Sequence, residues 1–271
     1  MKNIVIAVMF LALAACQPPV EPVADSASFA LSFSSEAANE ALDGRLILIL
    51  SKDDGSEPRF QVRSGLNAAQ IFGIDADGLA PGESVTVDDS VFGYPQDSLS
   101  EIPPGEYFVQ AVLHKYDTFN LSNGKTVKLP MDQGEGQQWA RSPGNLYSEP
   151  RMVQVGASAN PIPIILDKVI EPIVPPADTK YVKHVRIRSD LLSEFWGRDM
   201  YVGAHVLLPE GFDEHPDARY PLMVFHGHFP DDFGGFRTEP PDPDLECQPS
   251  ERFGLDCYNR TVQQEAYDFY R

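Results

Sequence analysis

The residues best placed to do chemistry follow a short apolar run. Leu222-Met223-Val224-Phe225 comes after Pro221 and stops sharply at His226-Gly227-His228-Phe229. Such a run reads as a strand buried on both faces, and the turn after it presents backbone N–H groups at the strand's end. Acyl transfer needs donors of this kind fixed in advance, because negative charge builds on the carbonyl oxygen in the transition state. Gly227 lets the backbone come close to a bound group; it would serve equally as a tight turn with His226 packed beneath it. A serine nucleophile would be expected on a Gly-x-Ser-x-Gly turn. The nearest approach, Gly156-Ala157-Ser158-Ala159-Asn160, lacks the last glycine, so Ser158 reads as a turn residue.

These residues must be held by surrounding elements, and the chain divides at a proline cluster. From Phe29 to about Ile170, short apolar or alternating runs are separated by Gly, Pro, Asp and Asn, with hardly any stretch of helical period. Strands are predicted at 29–33, 45–50, 59–63, 84–87, 107–114, 151–155 and 162–166, which makes a mainly β domain of the Ig-like sandwich kind over 29–170. Residues 115–150 read as a long loop, whose Trp139, Arg141 and Tyr147 either pack it onto the sandwich or contact a ligand. Ile170-Glu171-Pro172-Ile173-Val174-Pro175-Pro176 cannot form a helix interior or central strand, so 171–180 reads as a stiff linker. Strands at 181–188 and 200–208 then precede the buried strand 222–225, and a helix is expected at 262–271.

The opening residues set a compartment. Lys2 and the apolar run Ile4 to Ala14, too short to span a bilayer, form an export signal over 1–15. Leu13-Ala14-Ala15-Cys16 resembles the bacterial lipobox, which implies lipidation of Cys16. The absence of Asp at position 17 resembles outer-membrane sorting. Residues 16–28, rich in Pro, Ala and acids, read as a tether. Cys247 and Cys257, an even pair in an exported chain, predict a disulfide. The formal net charge of −19 argues against a nucleic-acid partner, which needs a basic face, and 42% hydrophobic residues are enough for real cores.

Gly197-Arg198-Asp199, then Val206-Leu207-Leu208-Pro209-Glu210-Gly211-Phe212-Asp213, then Arg219-Tyr220-Pro221 running into Phe225-His226-Gly227, resemble the start of the esterase D, feruloyl esterase and enterochelin esterase-like α/β-hydrolases. The resemblance covers roughly 181–230. It implies that 181–271 is the first part of an α/β-hydrolase domain, with Gly227, His228 and Phe229 as the oxyanion loop and the N–H of His228 or Phe229 as donor. The serine, acid and histidine of the triad would lie downstream, so the 271 residues read as the N-terminal portion of a lipid-anchored esterase, inactive alone. The substrate would be a small or polymer-linked ester, with no cofactor and no metal. A metallo-β-lactamase-like reading of His226, His228, Asp231 and Asp232 fails on spacing, because Pro230 and Asp231 stand where Asp and His are required. A calcium on Asp231, Asp232, Asp242 or Asp244 would rest on acid-rich loops that are usually just solvated. The alternative function is a non-catalytic surface lipoprotein that binds glycan or a protein through the sandwich. The sequence sets neither substrate identity nor oligomeric state.

Overall fold

The computed structural model describes residues 27–65, 67–156, 160–226, 233 and 236–270. In chain order the strands are β1 (Phe29–Phe33), β2 (Leu42–Ser51), β3 (Gln70–Leu79), β4 (Ser84–Val87), β5 (Gly93–Tyr94), β6 (Gly105–Lys115), β7 (Asp117–Asn120), β8 (Thr126–Leu129), β9 (Leu146–Tyr147), β10 (Arg151–Val155), β11 (Ile162–Leu166), β12 (Lys168–Val169), β13 (Val182–Arg188) and β14 (Tyr201–Leu207). Helix α1 (Asp190–Trp196) joins the last two strands, and α2 (Tyr258–Tyr270) lies beyond them. The chain is mainly β, as its alternating pattern predicts.

Two sheets share the principal core. One has the order β11-β1-β4, with β1 parallel to β11 and antiparallel to β4. The other runs β12-β9-β6-β2-β3-β5, with β10 also paired to β6. Alternation decides which residues meet: Phe29, Leu31 and Phe33 of β1 face Leu46, Leu48 and Leu50 of β2 and Val109, Ala111 and Leu113 of β6 in one buried cluster. Each large side chain fully withdrawn from water there contributes about 1.5–3 kcal/mol before chain entropy is counted. The other face of β2 is also covered. Ile47, Ile49 and Val112 form a second cluster against which Trp139 and Tyr147 pack, so these aromatics of the 115–150 segment serve to fix it on the sheet.

Several expectations are corrected. The strand expected at 59–63 is replaced by a 3₁₀ turn over Pro58–Phe60. Pro58 fixes the backbone for that turn, and the Arg59 N–H donates to the buried Gln110 Oε1 at 3.0 Å rather than to a ladder. β3 was absent from the sequence reading because Gly73, Asp75, Asp77 and Gly78 break its alternation, yet it pairs with β2 along Leu42–Leu50. The expected long loop contains the β7–β8 hairpin. The buried strand expected at 222–225 does not form: these residues lie in no strand, and Leu222, Met223, Val224 and Phe225 are 84, 79, 78 and 81% exposed. β13 and β14 pair with each other, no described strand lies beside 222–225, and an apolar run without a ladder partner leaves its backbone groups to water. Finally, α2 begins at Tyr258, four residues before the expected start.

Candidate functional site

The ribbon that should position the 226–229 turn is built from local rules. β13 and β14 run antiparallel from Val182 opposite Leu207 to Arg188 opposite Tyr201. Between them Ser189 caps α1, its side chain accepting from the Leu192 N–H at 3.3 Å. Gly197 ends the helix in the left-handed conformation at φ 69. The Ser193 hydroxyl donates to Ser189 O at 2.7 Å and accepts from the Met200 N–H at 2.9 Å, tying the helix to β14. No helix is predicted here from the sequence; Ser189 and Gly197, a cap and a stop at helical distance, are the signal that would find it.

After β14, Gly211 at φ 73 opens a 3₁₀ turn over Phe212–Glu214, and the Phe212 ring lies 5.6 Å from that of Tyr220. The Leu-Pro-x-Gly-Phe and Arg-Tyr-Pro segments therefore touch. His226 is exposed. Gly227, His228 and Phe229, the oxyanion candidates, lie outside the described residues, as do Asp231, Asp232, Ser158 and the lipidation candidate Cys16. Cys247 and Cys257 are joined by a disulfide with their Cα atoms 4.7 Å apart. Asp242 is held by Arg237 at 3.0 Å, which with Gln263 keeps its carboxyl below the ordinary range. Among the described residues no group of three or more His, Cys, Asp or Glu is arranged to hold a metal ion, and no helix is long and apolar enough to cross a membrane.

Two polar clusters have structural roles. Gln110, fully buried, donates to Glu57 at 2.8 Å and to Ser148 O at 3.0 Å, while Arg59 donates to the same Glu57 at 2.8 Å. Burial alone would raise the Glu57 pKa; the bonds from Gln110 and Arg59 and the charge of Arg59 outweigh it and leave it lowered. His184 Nδ1 lies 3.2 Å from Asp178, but the adjacent Thr179 hydroxyl already accepts from the N–H groups of Tyr181 and Val182. It is a turn hydroxyl, not a nucleophile paired to a histidine.

A third cluster differs, and the sequence reading missed it. The β7–β8 hairpin is fixed to the large sheet by Lys128, which bridges Asp43 at 2.9 Å and Asp77. α1 docks on that hairpin: Ser122 N–H donates to Phe195 O at 2.9 Å, Arg198 pairs with Asp117 at 2.9 Å, and the Phe119 and Trp196 rings meet edge to face at 5.2 Å. A Cβ on Gly197 would overlap the Asn120 carbonyl, so only glycine allows this approach. Between hairpin, following loop and helix lies an open cavity of about 490 Å³. Phe119, Leu129, Met131, Trp196 and Met200 form its apolar lining, and His114, Asp132, Glu135 and Gln137 its polar part. Burial pushes the His114 imidazole below its ordinary pKa, with Glu135 opposing.

Compared with known proteins, the chain matches no family model, no curated protein and no solved structure.

Proposed function

We propose that the chain is the N-terminal portion of a lipid-anchored serine esterase, in which residues 182–229 supply the opening strands and oxyanion loop of an α/β-hydrolase domain. The observation that carries the reading is the antiparallel ribbon β13–β14 running into the glycine turn at Gly211, with Phe212 against Tyr220. The motif resemblance implies such a strand pair and a glycine turn after it. The exposed apolar surface of Ile187, Val202 and Leu222–Phe225 also favours it, since a hydrolase sheet covers both faces of its strands with helices. In this reading the N–H of His228 or Phe229 donates to the developing oxyanion, and the attacking serine stands on a Gly-x-Ser-x-Gly turn that the 271 residues do not contain. The two-sheet body, read as an Ig-like sandwich, then spaces the hydrolase from the lipid on Cys16.

The test is covalent labelling of the product of the whole reading frame with a serine-directed fluorophosphonate, alongside p-nitrophenyl acetate hydrolysis. The label is expected on a Gly-x-Ser-x-Gly serine beyond position 271, with no turnover by residues 1–271 alone. A labelled serine within the 271, or a frame lacking such a turn, overturns the reading. Mass analysis of membrane-extracted protein is expected to show a diacylglyceryl Cys16, lost in Cys16→Ala.

A further inference from the structure

We propose that the cavity between the β7–β8 hairpin and α1 is a binding site for an uncharged aromatic compound carrying hydroxyl groups. The proposal is independent of the esterase reading, for it uses neither the 226–229 turn nor any residue after Met200.

Three observations identify a ligand site. The cavity, about 490 Å³, falls in the size range of small-molecule pockets. Its lining is apolar at the base, where the Trp196 ring stands edge-on to Phe119 and beside Met200 and Leu129, as a flat ring requires. Three of its polar side chains have no hydrogen-bond partner among the described residues. Polar side chains in the two clusters described above are hydrogen-bonded within the protein, whereas His114, Gln137 and the Trp196 indole have no protein hydrogen-bond partner among the described residues. Gln137 is also held at φ 63, the only non-glycine positive φ among the described residues. The loop before it is turned by its own acids: Asp132 accepts from Gly134 N–H at 2.9 Å, and Glu135 accepts from Gln133 N–H at 2.8 Å and from the Ser142 hydroxyl at 3.0 Å. Backbone strain kept beside a cavity points to function.

Charge selects the ligand class. Asp132 and Glu135 line the cavity and no Lys or Arg does, while Arg198 is turned to Asp117 and the Phe119 ring. An anion would face two carboxylates with no counter-charge. Each carboxylate keeps acceptor capacity beyond its loop contacts, which a ligand hydroxyl would use. A cation would be drawn to the same carboxylates, and the amine in the experiment below tests for it; its cation–π component is weak here, because Phe119 is 3% exposed with Arg198 already over it. The few polar groups are too sparse for a sugar, every hydroxyl of which needs a partner.

The experiment is fluorine NMR of the full 271-residue chain with 4-fluorophenol, 4-fluoroanisole, 4-fluorobenzoate, 4-fluorobenzylamine and 2-fluoro-2-deoxyglucose. Saturable binding of 4-fluorophenol is expected, with the anisole, which lacks the donor, bound about tenfold more weakly and benzoate not bound. Leu129→Trp, which fills the cavity from an exposed hairpin position, is expected to abolish binding. As a check, Trp139→Phe, which keeps an aromatic ring on the second cluster, makes Trp196 the sole tryptophan, and its emission is expected to shift with 4-fluorophenol at the same midpoint. No phenol binding, binding unchanged in a folded Leu129→Trp, a silent Trp196, or preference for the amine, the benzoate or the sugar would each overturn the proposal.

Discussion

The two-sheet body and the ribbon that follows it are written with the same kind of alternation, yet they end in opposite states. In β1 and β2 the inward residues Phe29, Leu31, Leu46 and Leu48 are 0% exposed, whereas Ile187 and Val202 of the ribbon are 61% and 51% exposed. The difference is not in the strands but in what covers them. β1 and β2 belong to sheets that close on one another, while among the described residues β13 and β14 have only each other as ladder partners. An alternating pattern therefore specifies a strand's faces, and a second layer specifies whether burying one of them stabilises anything.

The sharpest way to break this contrast is a pair of truncations measured by urea unfolding. Leu48→Ala in the shared core is expected to cost about 2–5 kcal/mol, and Val202→Ala on the ribbon less than about 0.5 kcal/mol; similar losses would mean that the ribbon is as well covered as the body. Gly197→Ala comes next. Its positive φ and the overlap with Asn120 O should cost more than about 1 kcal/mol, read as faster amide exchange in α1 with the midpoint of the body unchanged. Ser189→Ala removes the cap of α1 and is expected to cost about 1 kcal/mol, again confined to α1 exchange. The smallest effect is one of pH. Because burial lowers the His114 pKa, the unfolded chain binds more protons than the folded one as pH falls through about 6.5, so stability supported by neutral His114 is lost on acidification. His114→Gln is expected to flatten the pH dependence of the thermal midpoint between pH 7 and 5.

Legibility followed the periodicity. The strands at 29–33, 84–87, 151–155 and 162–166 were read to the residue, because short apolar or alternating runs between turn residues have one interpretation. β3 was not, since its glycines and acids hide a strand that exists through its pairing with β2. The apolar run 222–225 erred the other way. Its composition is that of a central strand, but hydrophobicity supplies no hydrogen-bond partner, and no described strand lies beside it. The proposed oxyanion turn was visible as a motif. The cavity was not, because its walls come from a hairpin centred near residue 123 and a helix near 193, with no shared motif.

The sequence by itself determined the β character, the alternating core positions and the proline-rich break after Ile170, all of which depend on residues within a few positions of one another. Only the tertiary structure decided that the segment 115–150 folds into a hairpin held by Lys128, that α1 docks against Phe119, and that His114 and Glu135 face one cavity. Those outcomes depend on contacts between residues from 21 to 85 positions apart in the chain, and the free energy of such contacts belongs to the pair rather than to either residue's local pattern.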